Sequence, residues 1–213
     1  MWKSYVFLSL ITTSLVGETL SYESITSGES SPSEWILQNM EGTISVQGIT
    51  KEAKIEMSYS PAYALVQYRE VSAGKKELQM TKDRGVLFIA SKDRGKERLL
   101  SHKIGELPWV QDFKFGFQPF LATDAKKYAF CIIHPDKLDV HDMIAVKDLE
   151  ESVEIDGKTY EAQRVKISLK GFKKKFWTGY VWFDKENHLM LKYRANKGPG
   201  TPYTEILFVG SKT

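Results

Sequence analysis

From residue 53 onward the dominant signal is an alternation with a period of two. Ala53, Ile55, Met57 and Tyr59 are interleaved with Lys54, Glu56 and Ser58, so in an extended chain one face is apolar and the other polar. A helix would scatter these side chains around its circumference, whereas a half-buried strand gathers them on one side. Runs of the same character recur at 62–71, 78–82, 86–91, 96–103, 127–134, 138–149, 159–169, 176–183, 189–195 and 203–209. Asp83-Arg84-Gly85 and Asp93-Arg94-Gly95 read as tight hairpin turns, each ending in a glycine that accepts positive φ. No segment carries a sustained helical period, so the crossover helices of a parallel sheet are missing. About ten or eleven short strands with short links predict an all-β chain with minor α content: an antiparallel meander closing into a barrel or half-barrel. The pattern breaks at 109–121, where an aromatic-rich stretch predicts a short helix or lid-like segment.

The amino-terminal fifth departs from this pattern. Met1-Trp2-Lys3 precedes an apolar run over 5–16; a short positive start and about a dozen apolar residues fit a signal peptide and fall short of a bilayer-spanning helix. Residues 1–17 are therefore read as an export signal, 18–33 as a Ser- and Glu-rich flexible lead-in, and 34–213 as a single β-barrel-like domain. Within that domain, 34–40 is expected as a short helix or first strand. Leu15-Val16-Gly17-Glu18 has the outline of a lipoprotein box with Glu where the acylated Cys would stand. The expected location is exported, periplasmic or extracellular, with no transmembrane segment once the signal is removed.

The chemistry-bearing residues are sparse. Thirty Lys and Arg against 27 Asp and Glu give a net charge of +3, too small an excess to call for a nucleic-acid partner. Cys131 is the only cysteine; its neighbours are apolar, and His134, three residues on in a strand, faces the other side, so the pair does not make an activated nucleophile. Neither a Gly-x-Ser-x-Gly elbow, a phosphate-binding Gly loop nor a His-Glu-x-x-His pair is present, and no enzyme activity or cofactor is expected. The run His134-Pro135-Asp136-Lys137-Leu138-Asp139-Val140-His141-Asp142 gathers two His and three Asp, which leaves a metal-dependent enzyme as a further alternative; its spacing matches no metal signature, and a charged hairpin loop is the plainer reading. Lys170-Gly171-Phe172-Lys173-Lys174-Lys175 suits an anionic headgroup, but lysines at a hairpin tip also discourage edge pairing. Bulky rings on both faces of 176–183 must be covered by a core or by a ligand. Phe113, Phe117, Phe120, Trp177, Tyr180 and Trp182 are the candidate ligand-binding residues, lining a cavity if side chains do not fill the interior.

The carboxy-terminal half resembles exported bacterial proteins related to the lipoprotein-carrier half-barrel (LolA/LolB-type). The residues that carry the resemblance are Glu154-Ile155-Asp156-Gly157-Lys158-Thr159-Tyr160 with the strand to Leu169, then Trp177-Thr178-Gly179-Tyr180-Val181-Trp182-Phe183-Asp184, and Leu189-Met190-Leu191-Lys192-Tyr193. The resemblance implies an envelope location and an apolar or amphipathic, lipid-like ligand held in a β concavity without catalysis. It transfers no binding residue individually. The alternative is a structural or protein-interaction domain of the envelope, solid inside, that docks on a partner protein through a sheet edge.

Overall fold

The period-two runs become one antiparallel sheet. The computed structural model describes residues 17–74, 76–171, 177–196 and 200–212, and within them fourteen strands pair as neighbours. In chain order the first eight are β1 (Glu18–Thr26), β2 (Glu29–Met40), β3 (Thr43–Thr50), β4 (Ala53–Tyr59), β5 (Leu65–Ser72), β6 (Glu77–Asp83), β7 (Val86–Asp93) and β8 (Lys96–Lys103). Two four-residue helices follow, α1 (Phe113–Gly116) and α2 (Gln118–Leu121). The remaining strands are β9 (Lys127–Ile133), β10 (Val140–Ile155), β11 (Lys158–Leu169), β12 (Thr178–Asp184), β13 (Met190–Asn196) and β14 (Tyr203–Lys212). The order across the sheet runs from β8 back to β1, then β14 back to β9. Two meanders are thus joined where β1 pairs with β14, and the ring stays open between β8 and β9.

The predicted hairpins have the expected backbone. Arg84 and Gly85 have φ of 41° and 75°, the paired positive values of a turn whose twist matches the strands it joins. Ser27 and Gly28 make the same kind of turn, at 53° and 82°, between β1 and β2. That turn corrects the expectation for residues 18–33. They are no flexible lead-in but two strands at the centre of the sheet, β1 held by β2 on one side and β14 on the other. The segment 34–40 is likewise strand, and β3 is a strand beyond those the alternation predicts. The apolar run 5–16 and the lysines at 173–175 lie outside the described residues, as do Phe176 and the loop at 197–199. No helix among the described residues is long and apolar enough to cross a membrane.

The open seam is laced by loops. The linker after β8 adds to the free edge of β9: Cys131 N donates to Pro108 O at 2.8 Å and Val110 N to Cys131 O at 2.9 Å. On the other side His102 Nε2 lies 2.8 Å from Leu138 O, and Lys76 Nζ reaches Pro135 O at 2.9 Å and Asp136 Oδ1 at 2.8 Å. A sheet curled this far needs something to cover its inner face, and the segment 109–121 supplies it.

Candidate functional site

Asp112 starts α1 by accepting the backbone N–H of Lys114 at 2.7 Å, a capping bond that satisfies an orphan donor of the first turn. The two helices then lie inside the curl. Phe115 reaches toward β2 and β4, with its ring centroid 5.8 Å from Trp35 and 6.5 Å from Tyr59. Phe117 faces the opposite wall, 5.2 Å from Phe130 and 6.1 Å from Phe183, and stacks on Phe113 at 5.4 Å. Phe120 stacks on Tyr128 at 5.2 Å. Phe117 and Phe120 are buried. The segment is a wedge holding the two halves of the sheet apart, and its rings fill the interior on the β9–β13 side.

The six candidate cavity residues therefore separate. Phe113, Phe117 and Phe120 come together, but as packing within the wedge. Trp177 stands apart, donating to Asn196 O at 2.7 Å. Tyr180 and Trp182 alternate with Val181 and Phe183, which are the buried residues of β12; by the same period of two they sit on the outer face and line no concavity. There Arg164 lies 5.2 Å from the Tyr180 ring and Lys192 5.5 Å from the Trp182 ring, while Trp182 Nε1 donates to Glu151 Oε1 at 2.7 Å. A strand with aromatics on both faces is here covered by core on one side and by cationic side chains on the other.

The His and Asp residues of 134–142 form a turn. His134 Nδ1 accepts the backbone N–H of Asp136 at 3.2 Å and of Lys137 at 3.3 Å, and His141 Nε2 stands 3.2 Å from Asp139 Oδ2. Among the described residues no group of three His, Cys, Asp or Glu side chains is placed to hold a metal ion. Cys131 is buried, and desolvation pushes its thiol up to about 11, the opposite of what a nucleophile needs.

The space left on the concave face is elsewhere, around Lys114. This side chain is only 8% exposed. Its Nζ donates to Asp112 Oδ2 at 2.9 Å and sits 4.0 Å from the centre of the Trp35 ring, which also lies against Gly48; a Cβ there would stand 2.4 Å from the indole. Lys114 borders two recesses. One, of about 360 Å³, is rimmed by the hydroxyls of Ser24, Ser31, Ser33 and Ser72 with Glu70 among them. Glu70 accepts Tyr68 Oη at 2.5 Å and has no cation in ion-pair range among the described residues. The second, of about 200 Å³, has Leu20, Tyr22, Leu37, Phe115 and Leu189 in its wall. Through Asn187, Leu189 and Ser211 it adjoins a wider recess of about 690 Å³ beneath the β10–β11 hairpin tip. Tyr22 is 1% exposed, and its hydroxyl has no hydrogen-bond partner among the described residues. Burial, and then the nearby Asp112 and Glu18 carboxylates, raise that phenol's pKa far above the ordinary tyrosine value. Sequence reasoning missed all of these residues except the aromatic stretch itself. The available signal was Asp112-x-Lys114, a charged pair set among phenylalanines.

The architecture has a solved counterpart. A β-barrel-like protein of domain of unknown function DUF1849 from Brucella abortus matches with a TM-score of 0.67 at 10% identity, over 93% of this chain and 98% of that one. The two share a fold. The overlap runs over nearly the whole chain and is not confined to the carboxy-terminal half. The hypothetical lipoprotein YmcC from Escherichia coli overlaps with a TM-score of 0.40 at 12% identity, over 92% of this chain and 85% of that one. A LolA superfamily protein, NE2245 from Nitrosomonas europaea, overlaps with a TM-score of 0.26 at 7% identity, over 92% and 85%. No protein-family model matches the chain, and no curated protein sequence matches it significantly.

Proposed function

We infer that the protein is an exported binding or carrier module that holds an amphipathic, lipid-like ligand on its concave face without catalysis. The observation that carries this reading is the pair of recesses meeting at Lys114, each walled by polar and apolar side chains together: Ser24, Ser31 and Ser33 with Trp35, Ile55 and Ile206 in one, and Glu18, Gln118 and Asn187 with Leu20, Leu37 and Phe115 in the other. Walls that offer apolar and polar groups side by side suit an amphipathic molecule. Their sizes, with the adjoining recess of about 690 Å³, reach the range of small-molecule sites, about 300–1,000 Å³. The ligand site lies on the Phe115 side of the wedge and not among the packed rings of Phe113, Phe117 and Phe120. The signal-like residues 1–17 support export.

Native mass spectrometry of protein purified without detergent, followed by organic extraction, tests this. A bound species of lipid mass that is recovered in the organic phase is expected. Unliganded protein that also fails to bind an apolar fluorophore would overturn the reading.

One observation favours a second reading, the interaction domain. Among the described residues edge strand β8 is paired only to β7, and its Leu99 is 82% exposed; such an edge invites strand addition by another chain. Leu99→Lys separates the two, because it is expected to weaken edge docking and leave ligand binding unchanged.

A further inference from the structure

The β12–β13 hairpin is shorter than the strands that flank it. Pairing of β11 with β12 ends at Ala162 opposite Asp184, and pairing of β14 with β13 ends at Leu207 opposite Lys192. Residues 158–161 of β11 therefore lie beside β10 without a second strand, and residues 208–212 of β14 lie beside β1 in the same way. The recess of about 690 Å³ is the notch left between these two strand ends and the turn at 184–189.

Backbone groups point into this notch. The Ser27-Gly28 turn makes Thr26 and Glu29 a hydrogen-bonded pair, and bonded and unbonded pairs then alternate along β1 and β2. Ser21 and Thr19 consequently direct their N–H and C=O at Gly210 and Lys212 of β14. Ser211, between them, turns its own away from β1 and borders the recess. The same counting from the Asp156-Gly157 turn sends Glu161 O outward from β10, where it does accept Lys185 N at 3.0 Å. The lining selects what can pair with the open edge. Asp156, Glu161, Asp184 and Glu186 border the recess against Lys158, whose Nζ lies 4.7 Å from the Tyr160 ring centre. Among the described residues none of these four carboxylates has a Lys or Arg in ion-pair range; nearby Lys185 is paired with Glu150. Ile155, Tyr160, Leu189 and Phe208 add apolar wall. An open strand edge in a net negative, partly apolar notch suits an extended cationic chain.

We propose that this notch is a strand-addition site, in which an extended, Lys- or Arg-rich segment of a partner protein pairs with residues 208–212 of β14 in line with β13. Its backbone bonds Ser211, and its cations meet Asp156, Glu161 and Glu186. The site is independent of what the recesses at Lys114 hold.

Fluorescence anisotropy with a fluorescein-labelled, end-blocked peptide Lys-Val-Lys-Thr-Lys-Val-Lys tests the assignment. Saturable binding to wild type is expected. A copy with Glu in place of every Lys, and a copy with Pro in place of both Val, which keeps the charge and loses strand donors, are each expected to bind about tenfold more weakly. Ser211→Pro removes the N–H that faces the notch, at an unpaired edge where proline is tolerated, and is expected to weaken the basic peptide about fivefold. Asp156→Asn combined with Glu186→Gln is expected to weaken it about threefold; Asn tolerates the positive φ of 50° at position 156. Should Ser211→Pro not fold, the proline-containing peptide decides alone. Absence of saturable binding, equal binding of the proline or the acidic copy, or affinity unchanged by Ser211→Pro or by the double neutralisation overturns the site.

Discussion

Truncating Phe117 tests whether the interior on the β9–β13 side is solid. The ring is buried and has five aromatic neighbours: Phe113, Phe120, Tyr128, Phe130 and Phe183. Phe117→Ala removes its transfer free energy and opens a cavity whose walls belong to four different elements, α1, α2, β9 and β12, and cannot all collapse inward. Core Phe→Ala substitutions cost about 3–5 kcal/mol, and the number of ring contacts, each worth about 0.5–1.5 kcal/mol beyond area burial, argues for the upper part of that range, about 4 kcal/mol. At about 2–4 °C per kcal/mol for a domain of this size, the midpoint is expected to fall by roughly 8–16 °C. Urea denaturation followed by circular dichroism, with a thermal melt alongside, measures it. A loss below about 1.5 kcal/mol, the size of a well-tolerated core swap, would mean that the ring borders open space. The wedge would then be a cavity wall, and the separation of core from ligand site would fail.

Other outcomes follow from single contacts. Gly48→Ala sets a methyl against the Trp35 indole, where a Cβ would stand 2.4 Å from the ring; overpacking of this kind costs about 1–3 kcal/mol, read as a lowered denaturation midpoint. Tyr22→Phe removes a buried, unpartnered hydroxyl and is expected to stabilise the unliganded protein by about 1 kcal/mol, seen as a higher melting temperature. Cys131 is held as the neutral thiol, its pKa raised by burial from 9.0 to about 11. The folded state therefore binds the proton more tightly than the unfolded chain does, so this contribution to stability is complete below pH 9 and is lost as pH rises toward about 11. Alkylation of Cys131 by iodoacetamide at pH 8 should accordingly be slow in native protein and fast in urea.

The strands past residue 53 were legible because their inward positions are apolar and their outward ones polar, as at Ile55, Met57 and Tyr59. The first three strands were not, apart from 34–40, expected as a short helix or first strand, and on β1 and β2 the reason is tied to the site. On β1 and β2 the inward residues change from Leu20, Tyr22 and Trp35 to Ser24, Ser31 and Ser33, which face the groove. A strand whose inner face is half serine shows no hydrophobic alternation and reads as a linker. Ser27-Gly28 was the one turn signal that pointed to a hairpin there. At 109–121 the composition announced an irregular aromatic element, but whether its rings border a space or fill it depends on Phe130, Phe183 and Trp35, which come from strands far away in sequence. For Tyr180 and Trp182 the alternation was visible, and which face was the inner one was not. Lys114 and Asp112 stand two residues apart, yet their burial comes entirely from the sheet wrapped around them.

Where on the molecule an acyl chain makes contact tests the account most directly. Photo-crosslinking with a monoacylglycerol carrying a diazirine in its chain, followed by peptide mapping, reports that position. Adducts are expected on residues bordering the smaller recess, Leu20, Leu37 and Leu189 among them, and are expected to be competed away by unlabelled monododecanoylglycerol. Labelling confined to the outer face around Tyr180 and Trp182, or labelling that competitor does not reduce, would contradict a ligand site on the concave face.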